Sequence, residues 1–165
     1  MKRVAFSSAL FQFFLVALTG CGHRRTPSVY EIPERFRGWV LIQFKQPGCK
    51  PLIKVQGKFV FRISPDGKLC TSSEPEFGWA SDEYYFVSAD QRTAIPVTTW
   101  GRGGLIWNQT NGECSLTGRP VATFANFYVG TEQDAKNASS QPTPRECDTY
   151  NGPNELRIRV RRGSR

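Results

Sequence analysis

The residues that most often carry catalysis are scarce in this chain. His23 is the only histidine among 165 residues, and it lies close to the N-terminus. A Ser-His-Asp triad, a Cys-His pair and an H-E-x-x-H zinc site each need a histidine in the folded body. No Ser-x-x-Lys spacing occurs either, and the glycines of residues 101–104 match neither a P-loop nor a dinucleotide-binding fingerprint. We therefore predict that the protein is not an enzyme and has no catalytic residues, metal site or cofactor.

Four carboxylates form the one group that could do chemistry without histidine: Glu74, Glu76, Asp82 and Glu83. Glycoside hydrolysis needs two carboxylates at a set separation, roughly 5–10 Å apart across a groove. A carboxylate-based glycan hydrolase is thus an alternative function. The other interpretation is a solvated acidic loop, because the sequence does not fix the geometry of these side chains.

The N-terminal residues are typical of an export signal. Residues 2 and 3 are basic, and residues 4–17 are mostly apolar. This stretch is shorter and more interrupted than the roughly 20 apolar residues of a transmembrane helix. It ends in Leu18-Thr19-Gly20-Cys21, which resembles the lipobox of bacterial lipoproteins. The resemblance implies cleavage before Cys21 and lipidation of its thiol. An ordinary signal peptide or an uncleaved anchor are the alternatives.

Four further cysteines, Cys49, Cys70, Cys114 and Cys147, indicate disulfides. An even count in an exported chain favours two bridges, for which three connectivities exist. We favour the sequential pairing of Cys49 with Cys70 and of Cys114 with Cys147, because short loops close most easily. Four free buried thiols are the alternative. Zinc is disfavoured because no C-x-x-C pair and no nearby histidine occur.

Two sets of side chains could bind a partner. The aromatic set is Trp39, Trp79, Tyr84 and Tyr85, which could stack on a glycan or a protein, or could simply belong to the core. The basic set is Arg157, Arg159 and Arg161, which alternate with apolar residues along one predicted strand. This arginine face could bind an anionic polymer or lipid, or could be the solvated face of an edge strand.

The positive charge is concentrated at the two ends of the chain. Residues 26–154 have 13 basic and 13 acidic side chains, although the whole chain has a formal charge of +8. A general nucleic-acid-binding surface is therefore not expected. Arg24 and Arg25 lie next to the proposed lipid, where anionic headgroups would attract each by about 1 kcal/mol. A solvated polar tether is the other interpretation of these two arginines.

Hydrophobic periodicity and turn residues predict an all-β domain. The predicted strands cover residues 36–44, 58–63, 68–71, 83–87, 95–100, 104–107, 121–129 and 155–161. Ser64-Pro65-Asp66-Gly67 is expected to join the second and third of these as a hairpin, and Asn111-Gly112 to close the short strand over 104–107. Thr131 is expected to cap a short helix that ends near residue 138. These elements favour an antiparallel β-sandwich, or a small barrel, with at most one short helix.

Three motifs resemble a family of bacterial domains of unknown function that often follow lipoprotein signals. They are Ile32-Pro33-Glu34-x-Phe36-x-Gly38-Trp39-Val40, Leu69-x-Thr71-Ser72-Ser73 and Gly78-Trp79-Ala80-x-Asp82-Glu83-Tyr84-Tyr85-x-Val87. The resemblance covers roughly residues 30–131. It implies no activity and no site residues.

We therefore expect a lipid-anchored envelope protein that binds a partner, in the outer membrane if the cell has one. The expected division is a signal peptide over 1–20, a tether over 21–30, a β domain over 31–138, a loop over 139–153 and a terminal strand with a basic tail over 154–165. The expected partners are the membrane, through Cys21, and an envelope protein or cell-wall glycan, but no nucleic acid. Inhibition of an envelope hydrolase such as lysozyme is a further alternative.

Overall fold

Residues 23–97, 104–116, 119–148 and 156–162 are described by the structure, a computed structural model. They form ten strands and two short helices. The strands are β1 (Ser28–Pro33), β2 (Gly38–Phe44), β3 (Ile53–Val55), β4 (Lys58–Arg62), β5 (Lys68–Cys70), β6 (Glu83–Val87), β7 (Arg92–Ala94), β8 (Ile106–Leu116), β9 (Arg119–Val129) and β10 (Leu156–Arg162). The helices are α1 (Glu132–Asn137) and α2 (Arg145–Asp148).

The strands form two five-stranded sheets. The first sheet has the order β3-β4-β1-β6-β7, and the second has the order β10-β8-β9-β2-β5. The all-β prediction is confirmed. The sheets are mixed rather than wholly antiparallel, because β1 runs parallel to both β4 and β6, and β2 runs parallel to β5. A second helix, α2, also exceeds the single helix that was expected.

The main core lies between the two sheets. Alternate residues of the central strands point inward, as the two-residue period of a strand requires. The buried members of this core are Ile32, Val40, Ile42, Phe44, Phe61, Ile63, Tyr84, Ile95, Ile106, Phe127 and Val129. Ring contacts cross the interface: the Tyr84 and Phe127 centroids are 5.5 Å apart, and those of Phe44 and Phe61 are 6.3 Å apart.

Two disulfides stabilise this arrangement. Cys49–Cys70 joins the loop after β2 to the end of β5, and Cys114–Cys147 joins β8 to α2. This is the sequential pairing favoured above. The second bridge belongs to a smaller buried cluster with Leu41, Ala122 and Phe124. Helix α2 is therefore attached to the second sheet by a covalent bond as well as by apolar contacts.

The predicted hairpin over residues 58–71 is wrong, although its turn is present. The Gly67 amide donates to the Ser64 carbonyl at 2.9 Å, and the Leu41 amide donates to the Gly67 carbonyl at 2.9 Å. Gly67 has φ +77°, and a Cβ there would lie 2.5 Å from the Trp39 carbonyl oxygen. The turn thus passes close to β2, so β5 joins the second sheet while β4 stays in the first.

Strand β8 also differs from the prediction. Instead of a short strand ending at Asn111-Gly112, an eleven-residue strand runs through both residues. Gly112 is needed because the Phe124 ring lies directly over it. A Cβ at this position would be only 2.3 Å from that ring. The strand predicted over 95–100 is not seen in residues 95–97, and residues 98–100 lie outside the described part of the chain.

Other predicted elements match the structure closely. Helix α1 begins after Thr131, whose side chain accepts from the Asp134 amide in a capping box. Strand β10 pairs antiparallel with β8. The strand that follows the loop predicted over 139–153 therefore belongs to the second sheet. The tether predicted over 21–30 differs, since β1 already begins at Ser28.

Candidate functional site

Residues 23–28 are bound to the body of the protein rather than extending from it. The Trp79 amide donates to the His23 carbonyl at 2.9 Å, and the Arg25 amide donates to the Trp79 carbonyl at 3.1 Å. Gly78 permits this approach, because it has φ +139° and a Cβ there would lie 2.2 Å from the His23 carbonyl oxygen. The glycine before Trp79 thus serves a backbone contact with a segment more than 50 residues away.

Asp82 fixes the same segment with both of its carboxylate oxygens. Oδ2 accepts from Nη2 of Arg25, and Oδ1 accepts from the Ser28 amide at 2.9 Å. The Arg25 and Asp82 side chains are only 17% and 11% exposed. Burial opposes the charge of Arg25, but the hydrogen bond and charge of Asp82 prevail and raise the pKa of the guanidinium.

Glu76 supplies a third contact. Its Oε2 accepts from the Thr26 amide at 2.9 Å, and this hydrogen bond lowers the pKa of the Glu76 carboxyl. We name residues 23–28, together with Glu76, Gly78, Trp79 and Asp82, the N-terminal clamp. The clamp occupies the position where the sequence predicted a free tether, so that prediction is corrected for residues 23–30.

A cavity of about 1130 Å³ opens beside the clamp and extends between the two sheets. The lining residues 24–28 and 74–82 are exposed or half-buried apart from Ser28, and we call this part of the cavity its mouth. The apolar wall consists of Tyr30, Ile42, Phe44, Leu52, Phe59, Phe61, Val97, Ala125 and Phe127. The polar wall consists of Gln109, Thr110, Asn111 and Asn126. A largely apolar concavity with a few polar groups is typical of a small-molecule site, whose volume reaches about 1,000 Å³.

Stacked rings form part of the cavity wall, which Tyr30 and Phe61 line and behind which Tyr84 packs. Tyr30 lies between Phe61 and Tyr84, with ring centroids 4.8 and 4.7 Å away. Burial raises the pKa of both tyrosines, so the two phenols are neutral at ordinary pH. Gln109 donates a hydrogen bond to the Tyr84 hydroxyl. The inner wall is therefore uncharged.

The polar wall satisfies its own hydrogen bonds. Asn126 accepts from Gln141 at 2.7 Å and donates to the Pro142 carbonyl at 2.9 Å. Thr110 also contacts both of these side chains. Within the described ranges, every buried side-chain nitrogen and oxygen has a partner. An apolar ligand can consequently enter without leaving a buried polar group unpaired.

The four predicted binding aromatics do not form one surface. Trp79 lies at the cavity mouth, whereas Tyr84 is 2% exposed and belongs to the core. Tyr85 points to the other face of β6, where the Arg92 guanidinium lies 3.9 Å from its ring centroid. Trp39 packs edge-on against Tyr128 and donates to the Ser139 carbonyl at 3.0 Å.

The four predicted carboxylates each face a different basic side chain. The pairs are Glu74 with Lys45, Glu76 with Lys54, Asp82 with Arg25, and Glu83 with Lys58. The Lys58 amine lowers the pKa of the Glu83 carboxyl, as the Thr26 amide does for Glu76. A glycosidase needs the opposite shift for its general acid. Each of the four carboxylates is therefore engaged by a basic side chain, and Glu76 and Asp82 also belong to the clamp.

The remaining predicted site residues have no described side-chain environment. Cys21 lies outside the described residues. The backbone of Arg157, Arg159 and Arg161 is part of β10, opposite Ser115, Glu113 and Asn111 of β8. Over the described ranges, no cluster of three or more histidine, cysteine or acidic side chains could hold a metal ion. No helix in that part of the chain is long and apolar enough to cross a membrane.

Sequence reasoning missed the clamp and the cavity. In the sequence, Arg25 stands out only by its charge near the proposed lipid, and Asp82 only as an acidic residue and a member of the motif over residues 78–87. The available signal was the spacing Gly78-Trp79-x-x-Asp82, in which a glycine and a carboxylate flank an exposed tryptophan. Tyr30 gave no separate signal, because its strand was interpreted as part of the tether.

Comparisons with known proteins give a family and one solved structure. A family model described as a family of unknown function (DUF6843) matches residues 24–138, which include both cavity walls and all of the clamp except His23. A crystal structure of a "Putative Lipoprotein from Bacillus anthracis" has a TM-score of 0.56 and 27% identity, and the alignment covers 72% of this chain and 82% of that one. No curated protein matches the chain. Neither match tests the lipobox.

Proposed function

The chain belongs to the DUF6843 family, whose function is unknown, and we propose that it is a lipid-anchored, non-enzymatic binding module on the exported side of a membrane. The observation that carries this proposal is the N-terminal clamp. A long flexible tether would let the body move away from the bilayer. A clamped segment instead holds the cavity beside the anchor.

The distance from the anchor follows from the chain itself. Cys21 is two residues from His23, and each residue spans at most about 3.6 Å, so the clamp begins within about 7 Å of the lipidated residue. The lipobox-like Leu18-Thr19-Gly20-Cys21 and the similarity to a protein named as a lipoprotein both support the anchor. Nothing in the comparisons favours an outer membrane, and the proposal does not include one.

A binding role agrees with what the described residues offer. The cavity between the sheets has a largely apolar wall, and the acidic residues at its mouth are engaged in the clamp or in ion pairs. The sole histidine, His23, contributes its backbone carbonyl to the clamp. The proposed partner is a component of the cell envelope that reaches the cavity from the membrane side.

Mass spectrometry of the N-terminal peptide tests the anchor. The full chain is expressed with its signal in a bacterial host and purified from membranes. We expect the N-terminal peptide to begin at Cys21 and to carry a diacylglyceryl group. Cys21→Ser should give no acylated peptide. Gly20→Ala is the matched control, because it keeps a small residue before the cysteine and should be acylated normally. A wild-type chain that begins elsewhere, or begins at Cys21 without lipid, would refute the anchor.

A further inference from the structure

We propose that the cavity between the sheets takes up the acyl chain of a membrane amphiphile with an anionic headgroup. This inference rests on the proposed lipid anchor for its position and goes beyond it by naming the chemistry of the ligand. Three properties of the described residues support it: the chemistry of the cavity wall, the charge at its mouth and the short distance to Cys21.

Several apolar side chains of the cavity wall face the core but are not fully covered by it. Tyr30, Leu52, Phe59 and Ala125 pack against the main core cluster but are only partly buried. Such inward-facing apolar surface is covered in a closed sandwich, and its exposure is unfavourable. An acyl chain would cover it without needing hydrogen-bond partners, which the satisfied polar wall does not offer.

Among the described residues, each of the three carboxylates at the mouth is paired with a basic side chain, which leaves the charge of Arg24 unpaired. Glu74 lies 2.5 Å from Lys45, Glu76 lies 4.0 Å from Lys54, and Arg25 is paired with Asp82. Arg24 lies at the same mouth, is exposed, and has no acidic partner among the described residues. A phosphate or carboxylate headgroup would complement this charge.

The mouth also has side chains suited to a membrane interface. Phe77 and Trp79 line the mouth and are 41% and 40% exposed. Aromatic rings of this kind are enriched at the level of lipid headgroups. Arg24 is three residues from Cys21, so the mouth lies within about 11 Å of the lipidated residue. An amphiphile can therefore move from the bilayer into the cavity over a short distance.

Photo-crosslinking in cells tests this inference on the full lipidated chain. Cells expressing the protein are fed a fatty acid that carries a diazirine and an alkyne, are irradiated, and the protein is purified and digested. We expect crosslinks on the peptides that contain Phe59 and Phe61 or Ala125 and Phe127. The crosslinked mass should correspond to a lipid with an anionic headgroup that is separate from the Cys21 peptide.

Cavity-filling variants provide the matched comparison. Ala125→Phe and Leu52→Trp place an added ring in the cavity, whereas Val121→Phe adds the same ring to an exposed position of the same strand, outside the cavity. Excluding only two methylene groups of the acyl chain lowers affinity about tenfold, so cavity crosslinking should fall at least about tenfold in the first two variants. It should be unchanged in the third. If Ala125→Phe fails to fold, Leu52→Trp, at a half-buried wall position just before β3, still decides the outcome.

Three other crosslinking outcomes would overturn the inference. Crosslinks confined to Phe77 and Trp79 would show surface contact only, and a neutral or zwitterionic lipid in the cavity would refute the anionic headgroup. A cavity crosslink joined to the Cys21 peptide would show that the protein's own acyl chain is the occupant. The N-terminal mass in the same digest reports on the anchor separately. An unacylated Cys21 with a crosslinked cavity would refute the proposed function while the cavity proposal stood.

Discussion

At the scale of single residues, Asp82 connects the N-terminus to the sandwich. Its two oxygens bind different groups, the Arg25 guanidinium and the Ser28 amide, at the start of β1. Both members of the ion pair are mostly buried, so neither is well solvated when its partner is lost. The carboxylate therefore matters for its charge as well as for its hydrogen bonds.

The first prediction concerns this charge. Asp82→Asn keeps the size of the side chain but leaves Arg25 uncompensated, and should lower the free energy of unfolding by about 3 kcal/mol. Glu132→Gln removes an ion pair of similar type between Glu132 and Lys136, whose side chains are 55% and 64% exposed. That control should change stability by no more than about 0.5 kcal/mol. Urea denaturation measures both. Equal effects would show that the Arg25–Asp82 pair is no more important than a surface pair.

The second prediction concerns alkaline pH. Burial raises the pKa of Tyr30 and Tyr84 above the ordinary value of 10.0. Below pH 10 both phenols are protonated in the folded and in the unfolded chain, so their contribution to the free energy of unfolding is fully present. Above it the unfolded chain loses protons that the folded chain retains, so stability falls as pH rises beyond about 10. Tyr30→Phe should reduce this fall. Unfolding free energies against pH, with tyrosinate absorbance, measure the effect, and titration of all tyrosines near pH 10 without unfolding would contradict it.

For the strands, the sequence predicts which face is buried better than it predicts which strands pair with each other. The alternation in residues 58–63 and 121–129 locates β4 and β9, and the capping box of Thr131 and Asp134 locates α1. Alternation indicates which side chains point inward, but it contains no information about which strand lies alongside. The parallel pairing of β1 with β4 and β6 was therefore not predictable from local pattern. The same holds for the turn at Gly67, after which the chain passes from the first sheet to the second.

The third prediction concerns helix α2. A helix of four residues is too short to be stable alone, so its position depends on Cys114–Cys147 and the apolar cluster around it. Replacing both cysteines with alanine should lower the free energy of unfolding by about 4 kcal/mol, as the entropy of a 33-residue loop implies. The corresponding double variant at Cys49 and Cys70 should lose about 3 kcal/mol, because that loop spans 21 residues. Denaturation under non-reducing conditions measures both, and no loss at Cys114 and Cys147 would show that α2 does not need the bridge.

At the scale of the whole molecule, the clamp and the cavity mouth lie at the same place. The clamp contacts join residues that are 50 or more positions apart, such as His23 and Trp79. No local pattern reports such a contact, which is why a basic, polar segment with a proline was interpreted as a tether. The aromatic residues were visible in the sequence, but which of them line a cavity depends on how the two sheets meet.

The fourth prediction uses two glycines to separate the clamp from backbone strain. Gly78→Ala forces the His23 carbonyl away, whereas Gly57→Ala, at φ +76°, has nothing within 4 Å of the new Cβ. Both variants strain the backbone, but only the first opens the clamp. On vesicles carrying the lipidated protein, trypsin cleavage after Arg24 or Arg25 should become at least about tenfold faster in Gly78→Ala than in wild type. The rate of this cleavage in Gly57→Ala should stay close to that of the wild type. Equal cleavage rates in both variants would mean that the glycine at residue 78 does not hold the segment.

Hydrogen exchange at residues 23–28 of the lipidated protein in vesicles distinguishes a clamped N-terminus from a free tether. If the N-terminus is clamped, the Arg25, Ser28 and Trp79 amides should exchange at least about tenfold more slowly than those of an unstructured peptide. The Ile95 amide, which donates to the Tyr84 carbonyl at 2.8 Å, serves as the internal reference for the folded sandwich. Exchange of the three clamp amides at the unstructured rate, with Ile95 still protected, would contradict the account and restore a free tether.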